Sequence, residues 1–187
     1  MHPLYIVAVG GTLRAGSSTE KAMQFVLEAA ARAGARTKLI SGLALQLPMY
    51  QPENADRSEA ARTLVTELAQ ADGIILGSPG YHGSISGLVK NALDYAEDLR
   101  SHVRPYFSGR AVGCIATAAG WPGAINTLSS LRDIVHALRG WPTPLGAAIN
   151  SSERVFDESG KCLVPRVAEM LEIIAAEVIG FAHRAAL

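Results

Sequence analysis

The sequence predicts an α/β fold of three layers, with a parallel sheet of five strands between two layers of helices. Short apolar runs of strand length alternate with longer amphipathic segments, which is the pattern of βαβ units. Hydrophobic residues make up 49% of the 187 residues and charged residues 18%, which is typical of a compact globular protein. We therefore expect residues 1–187 to form a single domain.

The first unit combines a buried strand with a capped helix. LYIVAV predicts a strand over residues 4–9, and the alanine-rich segment after it predicts a helix over 18–33. We expect Ser17 or Ser18 to cap this helix and Glu20 to lie in its first turn, where the helix dipole favours a negative charge.

The middle of the chain contains two further strands and their helices. RTKLI, at 36–40, is short and polar, as expected of an edge strand. A proline-containing loop then leads to a helix over about 57–70. GIILGS, at 73–78, is the most apolar of the predicted strands, and a helix over 87–99 follows its loop.

The last third continues the alternation. RAVGCIAT predicts a strand over 110–117, and its helix covers 123–139. TPLGAAI predicts a strand over 143–149 that its proline weakens. The final helix covers 164–183 and has one apolar face.

Charge and cysteine usage exclude several function classes. Seventeen basic residues balance seventeen acidic ones, so no footprint of nucleic-acid or membrane-surface binding is present. Cys114 and Cys162 are far apart, and the histidines form no metal-binding spacing, so no metal site is expected. No apolar run is long enough for a signal peptide or a membrane span, and we expect a soluble, cytoplasmic protein.

The loop after the first strand reads GGTLRAGSSTEKA and resembles an anion site. Gly11 and Gly16 have the spacing of a P-loop, but Ser17 stands where the lysine should be. The loop also lacks GxGxxG, and the second strand ends without a carboxylate for ribose, which disfavours a tightly held dinucleotide.

Hydroxyl groups and one arginine favour a third design, a loop that wraps a monophosphate ester. Its candidate ligands are Thr12, Arg14, Ser17, Ser18 and Thr19. A monophosphate bound at a doubly wound sheet suggests a mononucleotide such as FMN. The alternative is that these residues form only a glycine turn and a helix cap.

A second segment, SPGYHGSISGLVKNALDY at 78–95, carries a specific resemblance. Together with GTLRAGS and with LPMYQP at 47–52, it is similar to the NADPH-dependent FMN reductase family, which has G-S-x-R-x-x-S and P-E-Y-N-G-S-I-P-G-x-L-K-N-A-x-D. The resemblance implies a flavodoxin-like fold with strand order 2-1-3-4-5 and a homodimer or homotetramer, with the helix at 87–99 near the subunit contact.

The resemblance also implies which residues border the flavin. The hydroxyl-rich loop would hold the FMN phosphate, and the next two loops would border the ribityl chain and the isoalloxazine. These bordering residues are Pro79, Gly80, Tyr81, His82, Gly83, Ser84, Thr117, Ala118, Ala119 and Gly120. Glycines allow the backbone to approach a flat ring, and backbone N–H groups can donate to its polar edge.

Three positions depart from the family pattern. Gly80 replaces the common glutamate, which removes a polar group near the ring or the subunit contact, His82 replaces asparagine, and Ser86 replaces a frequent proline. We interpret His82 as a hydrogen-bonding loop residue and not as a proton donor. Lys90, Asn91 and Asp94 are expected at the surface or at a subunit interface.

Several residues outside these motifs have more than one interpretation or only a structural one. Trp121 either covers the isoalloxazine, shapes the nicotinamide pocket or packs at the start of a helix, and Trp141 is interpreted as a packing residue. Asn150-Ser151-Ser152 matches a glycosylation sequon that would have no meaning in the cytoplasm. Candidates for a 2′-phosphate site of NADPH are Arg100, Arg104 and Arg110.

The function predicted from these observations is NAD(P)H-dependent reduction of FMN, with NADPH or NADH as the hydride donor and no catalytic acid or nucleophile. A flavin-dependent monooxygenase is a candidate partner. One alternative keeps FMN bound and reduces quinones, azo dyes or metal oxyanions. Another is a flavodoxin-type electron carrier, which the zero net charge disfavours. A hydrolase is disfavoured because GxSxG is absent.

Overall fold

The computed structural model describes residues 3–185. Its strands are β1 (Tyr5–Gly10), β2 (Arg36–Ile40), β3 (Gly73–Tyr81), β4 (Ser84–Ile85), β5 (Ala111–Ala118), β6 (Trp141–Pro142) and β7 (Ala147–Asn150). Its α-helices are α1 (Ser18–Arg32), α2 (Glu59–Gln70), α3 (Gly87–Asp94), α4 (Trp121–Ala137) and α5 (Pro165–Ala185). Short 3-10 helices cover Gly42–Leu45 and Tyr95–Leu99.

The main strands are parallel in the order β2-β1-β3-β5-β6, with β7 also paired to β5. Because β5 is the fourth predicted strand and β6 with β7 replaces the fifth, the predicted order 2-1-3-4-5 is confirmed. The order reverses direction between β1 and β3, which is the point where open α/β sheets bind ligands.

The fifth predicted strand differs from the prediction because it is divided. β6 pairs with the start of β5 and β7 with its end, and the register changes over residues 143–146 between them. The N–H groups of Trp141 and Thr143 donate to the residue just before β5 and to β5 itself. The N–H of Leu145, the next in the alternation, donates instead to the Glu177 carboxylate, at 3.2 Å.

The third strand runs further than predicted and turns back on itself. β3 continues to Tyr81, and β4 pairs with it antiparallel through Tyr81 and Ser84. The two residues between them, His82 and Gly83, have φ of 52° and 87°. Positive φ at both central residues is the geometry of a type I′ hairpin turn.

Each face of the sheet has its own core. Val7, Val9 and Ile74 lie in the core that α2, α3 and α4 cover. Ile6 and Ile75 lie in the core that α1 and α5 cover. Alternate residues of one strand therefore pack on opposite helical layers, as in a sheet buried on both faces. Within residues 3–185, none of the helices has both the length and the apolar character needed to cross a membrane.

Candidate functional site

A cavity of about 330 Å³ opens at the carboxyl ends of the central strands, a volume within the range of about 300–1,000 Å³ usual for small-molecule sites. It is lined by Thr12, Arg14, Ser17, Ser18, Thr19, Pro79, Gly80, Tyr81, Thr117, Ala118, Ala119 and Ser151. The loops after β1, β3 and β5 therefore converge here, as the sequence predicted for most of these residues.

The loop after β1 presents a guanidinium that is not engaged elsewhere. The Thr12 hydroxyl accepts a hydrogen bond from the Arg14 N–H at 3.2 Å, which closes the loop. The Arg14 side chain is exposed, and among residues 3–185 its guanidinium makes neither a hydrogen bond nor an ion pair. Its fork of N–H donors is therefore available to a ligand in the cavity.

The start of α1 adds backbone donors to the same wall. Ser17, not Ser18, is the N-cap, and its hydroxyl accepts a hydrogen bond from the Glu20 N–H at 3.3 Å. The first N–H groups of an α-helix have no partner within the helix, and the helix dipole favours an anion beside them. Ser18 and Thr19 belong to this first turn and line the cavity.

Two buried hydroxyls join the first loop to the third. The oxygens of Thr19 and Thr117 lie 2.6 Å apart, and the two residues are 1% and 4% exposed. One hydroxyl donates to the other, and the second proton has no acceptor among the described residues. A buried donor without a partner is costly, and both residues line the cavity, so a ligand oxygen there would satisfy it. The donor set therefore fits a phosphate ester.

The model of the NADPH-dependent FMN reductase family matches residues 4–154. The chain belongs to this family. The resemblance seen in the sequence is thus confirmed, and the family description carries both expected cofactors, FMN and NADPH.

Curated relatives of the family share part of their length with this chain. It is 38% identical over 87 residues to the NADPH azoreductase of Bacillus sp. (strain OY1-2), covering 46% of each protein. It is 40% identical over 90 residues to the FMN-dependent NADPH-azoreductase of Staphylococcus aureus (strain USA300), covering 48% of this chain and 44% of the relative. The chain thus spans somewhat less than half the length of the curated relatives it matches.

Solved structures show the same fold. The flavoenzyme NAD(P)H:(acceptor) oxidoreductase from Paracoccus denitrificans superposes with a TM-score of 0.78 and 20% identity, covering 97% of this chain and 98% of that one. The predicted flavodoxin-like architecture is therefore confirmed.

The departure from the family at position 80 has a steric reason. A Cβ on Gly80 would lie 2.4 Å from Oγ1 of Thr127 and 3.1 Å from Cβ of Ala118. Thr127 is fully buried on α4, and its hydroxyl donates to the Ser84 carbonyl at 3.3 Å. The usual glutamate does not fit here, because Thr127 fills the space beside β3.

The hairpin tip lies outside the cavity lining. Tyr81 is 54% exposed and lines the cavity, whereas His82, Gly83 and Ser84 are exposed and do not. His82 occupies the left-handed region, which asparagine adopts more readily than most residues. Histidine thus takes over the turn position of the family's asparagine.

Gly120 is likewise set back from the cavity. Its N–H donates to the Ala118 carbonyl and to Oδ1 of Asn150, both at 2.9 Å. This N–H is therefore engaged within the protein, and Ala119 and Ala118 form the wall instead. Ser151 lines the cavity although the sequence did not indicate it; its signal is its position directly after β7, at the same edge of the sheet.

The motif residue Asn91 is buried and not at the surface, so its predicted placement is wrong. It is 6% exposed, and its side chain accepts a hydrogen bond from the Tyr50 N–H and donates one to the Pro48 carbonyl, both at 2.9 Å. Lys90 and Asp94 form an exposed ion pair, as expected of surface residues. Asn91 thus joins the two family segments, KNA and LPMY.

The 2′-phosphate hypothesis is wrong for Arg110, which is fully buried. Its guanidinium donates to the carbonyls of Leu68, Arg104 and Tyr106 at the amino ends of the strands, far from the cavity edge. Burial lowers its pKa to about 10. Arg104 also faces that end, where it donates to the Ala69 carbonyl at 3.1 Å.

Trp141, interpreted as a packing residue, is mostly solvent-exposed. Its side chain is 60% exposed, and its ring centroid lies 6.3 Å from that of Phe181. β6 is the edge strand of the sheet, and within residues 3–185 no strand pairs with its outer side.

Proposed function

We propose that the chain is an NAD(P)H-dependent FMN reductase that passes a hydride from a reduced nicotinamide to N5 of the flavin. One observation supports this most strongly: the free Arg14 guanidinium, the start of α1 and the Thr19–Thr117 pair face one cavity where the strand order reverses. This donor set suits a phosphate monoester at the binding edge of the sheet. Residues 1–187 then act as one FMN-binding domain.

The cavity divides into a polar part and a backbone-lined part. Thr12, Arg14, Ser17, Ser18 and Thr19 would hold the phosphate, and Thr117 would complete its donors. Pro79–Tyr81 and Ala118–Ala119 would border the ring. The bound flavin supplies the hydride chemistry, so the protein has to bind, orient and shield it.

The composition of the lining agrees with that division of labour. Arg14 and Tyr81 are the ionisable side chains that line the cavity. Neither is placed as a general base, which suits hydride transfer between two bound cofactors.

Replacing Arg14 tests the phosphate assignment. Arg14→Ala is expected to raise the Kd for FMN by about 10-fold or more, since hydrogen bonds to charged groups contribute about 1.5–3 kcal/mol. Riboflavin, which has no phosphate, should bind wild type and variant equally, as measured by quenching of flavin fluorescence. The control is Arg32→Ala at the other end of α1, whose partner is Glu172. Unchanged FMN affinity in Arg14→Ala would contradict the proposal.

A second candidate is a reductase that retains FMN and reduces an aromatic acceptor. Two aromatic side chains at the carboxyl edge, Tyr81 and Trp121, are 54% and 50% exposed, and Leu13 and Ile125 on adjacent segments are 49% and 52% exposed. Such a rim suits a planar apolar acceptor, and both relatives above are named azoreductases. Steady-state rates with free FMN and with an azo dye as acceptors would separate the two candidates. Failure to oxidise NADPH with either acceptor would instead favour an electron carrier.

We also propose a homodimer or homotetramer in the cytoplasm. Leu43 and Met49 are 75% and 74% exposed, and Met49 lies in the loop that Asn91 holds against α3. A second copy of the chain would cover these apolar side chains. Light scattering should report a dimer or tetramer for wild type and a smaller species for Met49→Glu; a monomeric wild type would contradict this part.

A further inference from the structure

The segment after β7 contacts the candidate site although the sequence motifs do not include it. Asn150 ends β7, and its side chain makes three hydrogen bonds. Oδ1 accepts from the Gly120 N–H at 2.9 Å and from the Ser152 N–H at 3.1 Å, and Nδ2 donates to Oε1 of Glu153 at 3.0 Å. Both the oxygen and the nitrogen of the Asn150 amide are thus hydrogen-bonded, and the oxygen connects two loops.

These bonds hold the loop between β5 and α4 in an unusual conformation. Gly120 has φ of 120°, and α4 begins there without a side-chain cap. The Ser151 N–H also donates to the Ala118 carbonyl, at 2.8 Å. Ala118 is therefore bonded to Ser151 and Gly120 to Asn150, and Ala119 between them lines the cavity.

We propose that Asn150 is a positioning residue of the cofactor site and that Ser151 is one of its binding residues. This inference rests on the proposed function. Asn150 fixes Ala118 and Ala119 as a wall for the flavin ring, and Ser151 adds a hydroxyl to that wall. In the strand order, β7 lies beyond β5 and two places from β3, on the side away from β1 and its phosphate loop.

The two ends of the site therefore predict different ligand dependence. Loss of a contact to the ring weakens the binding of FMN and of riboflavin by the same factor. Loss of a contact to the phosphate weakens the binding of FMN alone. We expect Asn150→Ala to raise both Kd values about 5- to 10-fold and Ser151→Ala to raise both about 3-fold, in line with the loss of about one hydrogen bond.

A reversal of the Asn150–Glu153 hydrogen bond tests the positioning role. Asn150→Asp keeps both bonds to backbone N–H groups but places a carboxylate against Glu153, and it should weaken both flavins. The double variant N150D/E153Q exchanges donor and acceptor, and it should restore both Kd values to within about 2-fold of wild type.

A matched control is Asn54→Ala. Like Asn150, Asn54 accepts a hydrogen bond from the N–H two residues further along the chain, here that of Asp56 at 2.9 Å. Its loop does not line the cavity. Loss of the Asn54 side chain should leave both flavin affinities unchanged.

Fluorescence titration of the full chain with FMN and riboflavin, together with urea unfolding of each variant, decides the proposal. Equal weakening of both flavins in Asn150→Ala and Ser151→Ala, with rescue in N150D/E153Q, supports it. Lower stability with unchanged affinities overturns it, as does an effect on FMN alone. If Asn150→Ala does not fold, Ser151→Ala and the Asp variants decide in the same way. If the wild-type protein binds no flavin, the proposed function itself is overturned. If it binds flavin and only Arg14→Ala changes the affinity, this inference alone is overturned.

Discussion

Two arginines at opposite ends of the same sheet have opposite environments. Arg14, at the carboxyl ends of the strands, is exposed and makes no side-chain hydrogen bond within residues 3–185. Arg110, just before β5 at the amino ends, is fully buried and donates to three carbonyls. Leu68 and Ala69, which accept from Arg110 and Arg104, lie in the last turn of α2, where carbonyls lack helical partners.

Under the proposed function, this difference separates the residues that stabilise the fold from those that bind the ligand. At the amino edge, the Tyr5 N–H donates to Asp72 at 2.9 Å, and two nitrogens of the Arg110 guanidinium donate to carbonyls, although its buried Nε has no partner among the described residues. At the carboxyl edge, the Arg14 guanidinium and one proton of the Thr19–Thr117 pair are left for a ligand. Substitutions at the two edges should therefore change different measured quantities.

The largest expected effect is on stability, at the amino edge. Arg110→Met should lower the free energy of unfolding by about 3 kcal/mol, because the buried carbonyl of Leu68 and the partly buried carbonyls of Arg104 and Tyr106 lose their donor. Urea unfolding measures this loss, and flavin titration of the folded variant should give an unchanged Kd for FMN. Arg14→Ala should show the reverse, with weaker binding at wild-type stability. If the folded Arg110→Met variant bound FMN more weakly than wild type, the assignment of stability to one edge and binding to the other would be contradicted.

A smaller effect is expected at the carboxyl edge, where packing also contributes. Gly80→Ala should destabilise the fold by about 1–3 kcal/mol, because its Cβ would lie 2.4 Å from Oγ1 of Thr127. Adding Thr127→Ala should recover part of this loss, since the contacts at Ala118 and Gly123 remain. Additive losses in urea unfolding of the two single variants and the double variant would contradict the steric explanation.

The smallest effect concerns pH at the amino edge. Burial and the hydrogen bond to Glu67 raise the pKa of Tyr5 to about 12, from about 10 in an unfolded chain. The folded state thus favours the neutral phenol. The contribution of Tyr5 to the free energy of unfolding is therefore complete below pH 10 and is lost as the pH rises toward 12. Tyr5→Phe should lose about 1 kcal/mol at pH 8. Unfolding measured from pH 8 to 12 should show the difference between wild type and variant shrinking; a constant difference would contradict the assigned cause.

The strand and helix alternation was predictable because both cores repeat a simple pattern along the chain. The order of the strands came from the resemblance, and the structure confirms it. The break between β6 and β7 was not predictable in position, because it depends on which N–H groups of residues 141–149 face β5. The hairpin was also missed, since β4 has two residues and its turn reads His-Gly instead of the more common Asn-Gly.

The candidate site was predictable where its residues lie within one loop. Thr12, Arg14 and Ser17 are close in sequence and meet at the cavity. Contacts between distant residues were not visible: Thr19 and Thr117 are 98 positions apart. Nor can a sequence alone distinguish a buried arginine from an exposed one, which is why Arg110 was a candidate for nucleotide binding.

Under the proposed function, the hairpin of β3 and β4 offers a place to redesign the preference for electron acceptors. Apart from the residues next to it in the chain, no described atom lies within 4 Å of the place where a Cβ on Gly83 would be, although its φ of 87° requires that the glycine itself be kept. Extra residues inserted between His82 and Gly83 would extend the rim beside Tyr81 without disturbing either core. Libraries that vary the length of this arm could thus select for bulkier electron acceptors on an unchanged scaffold.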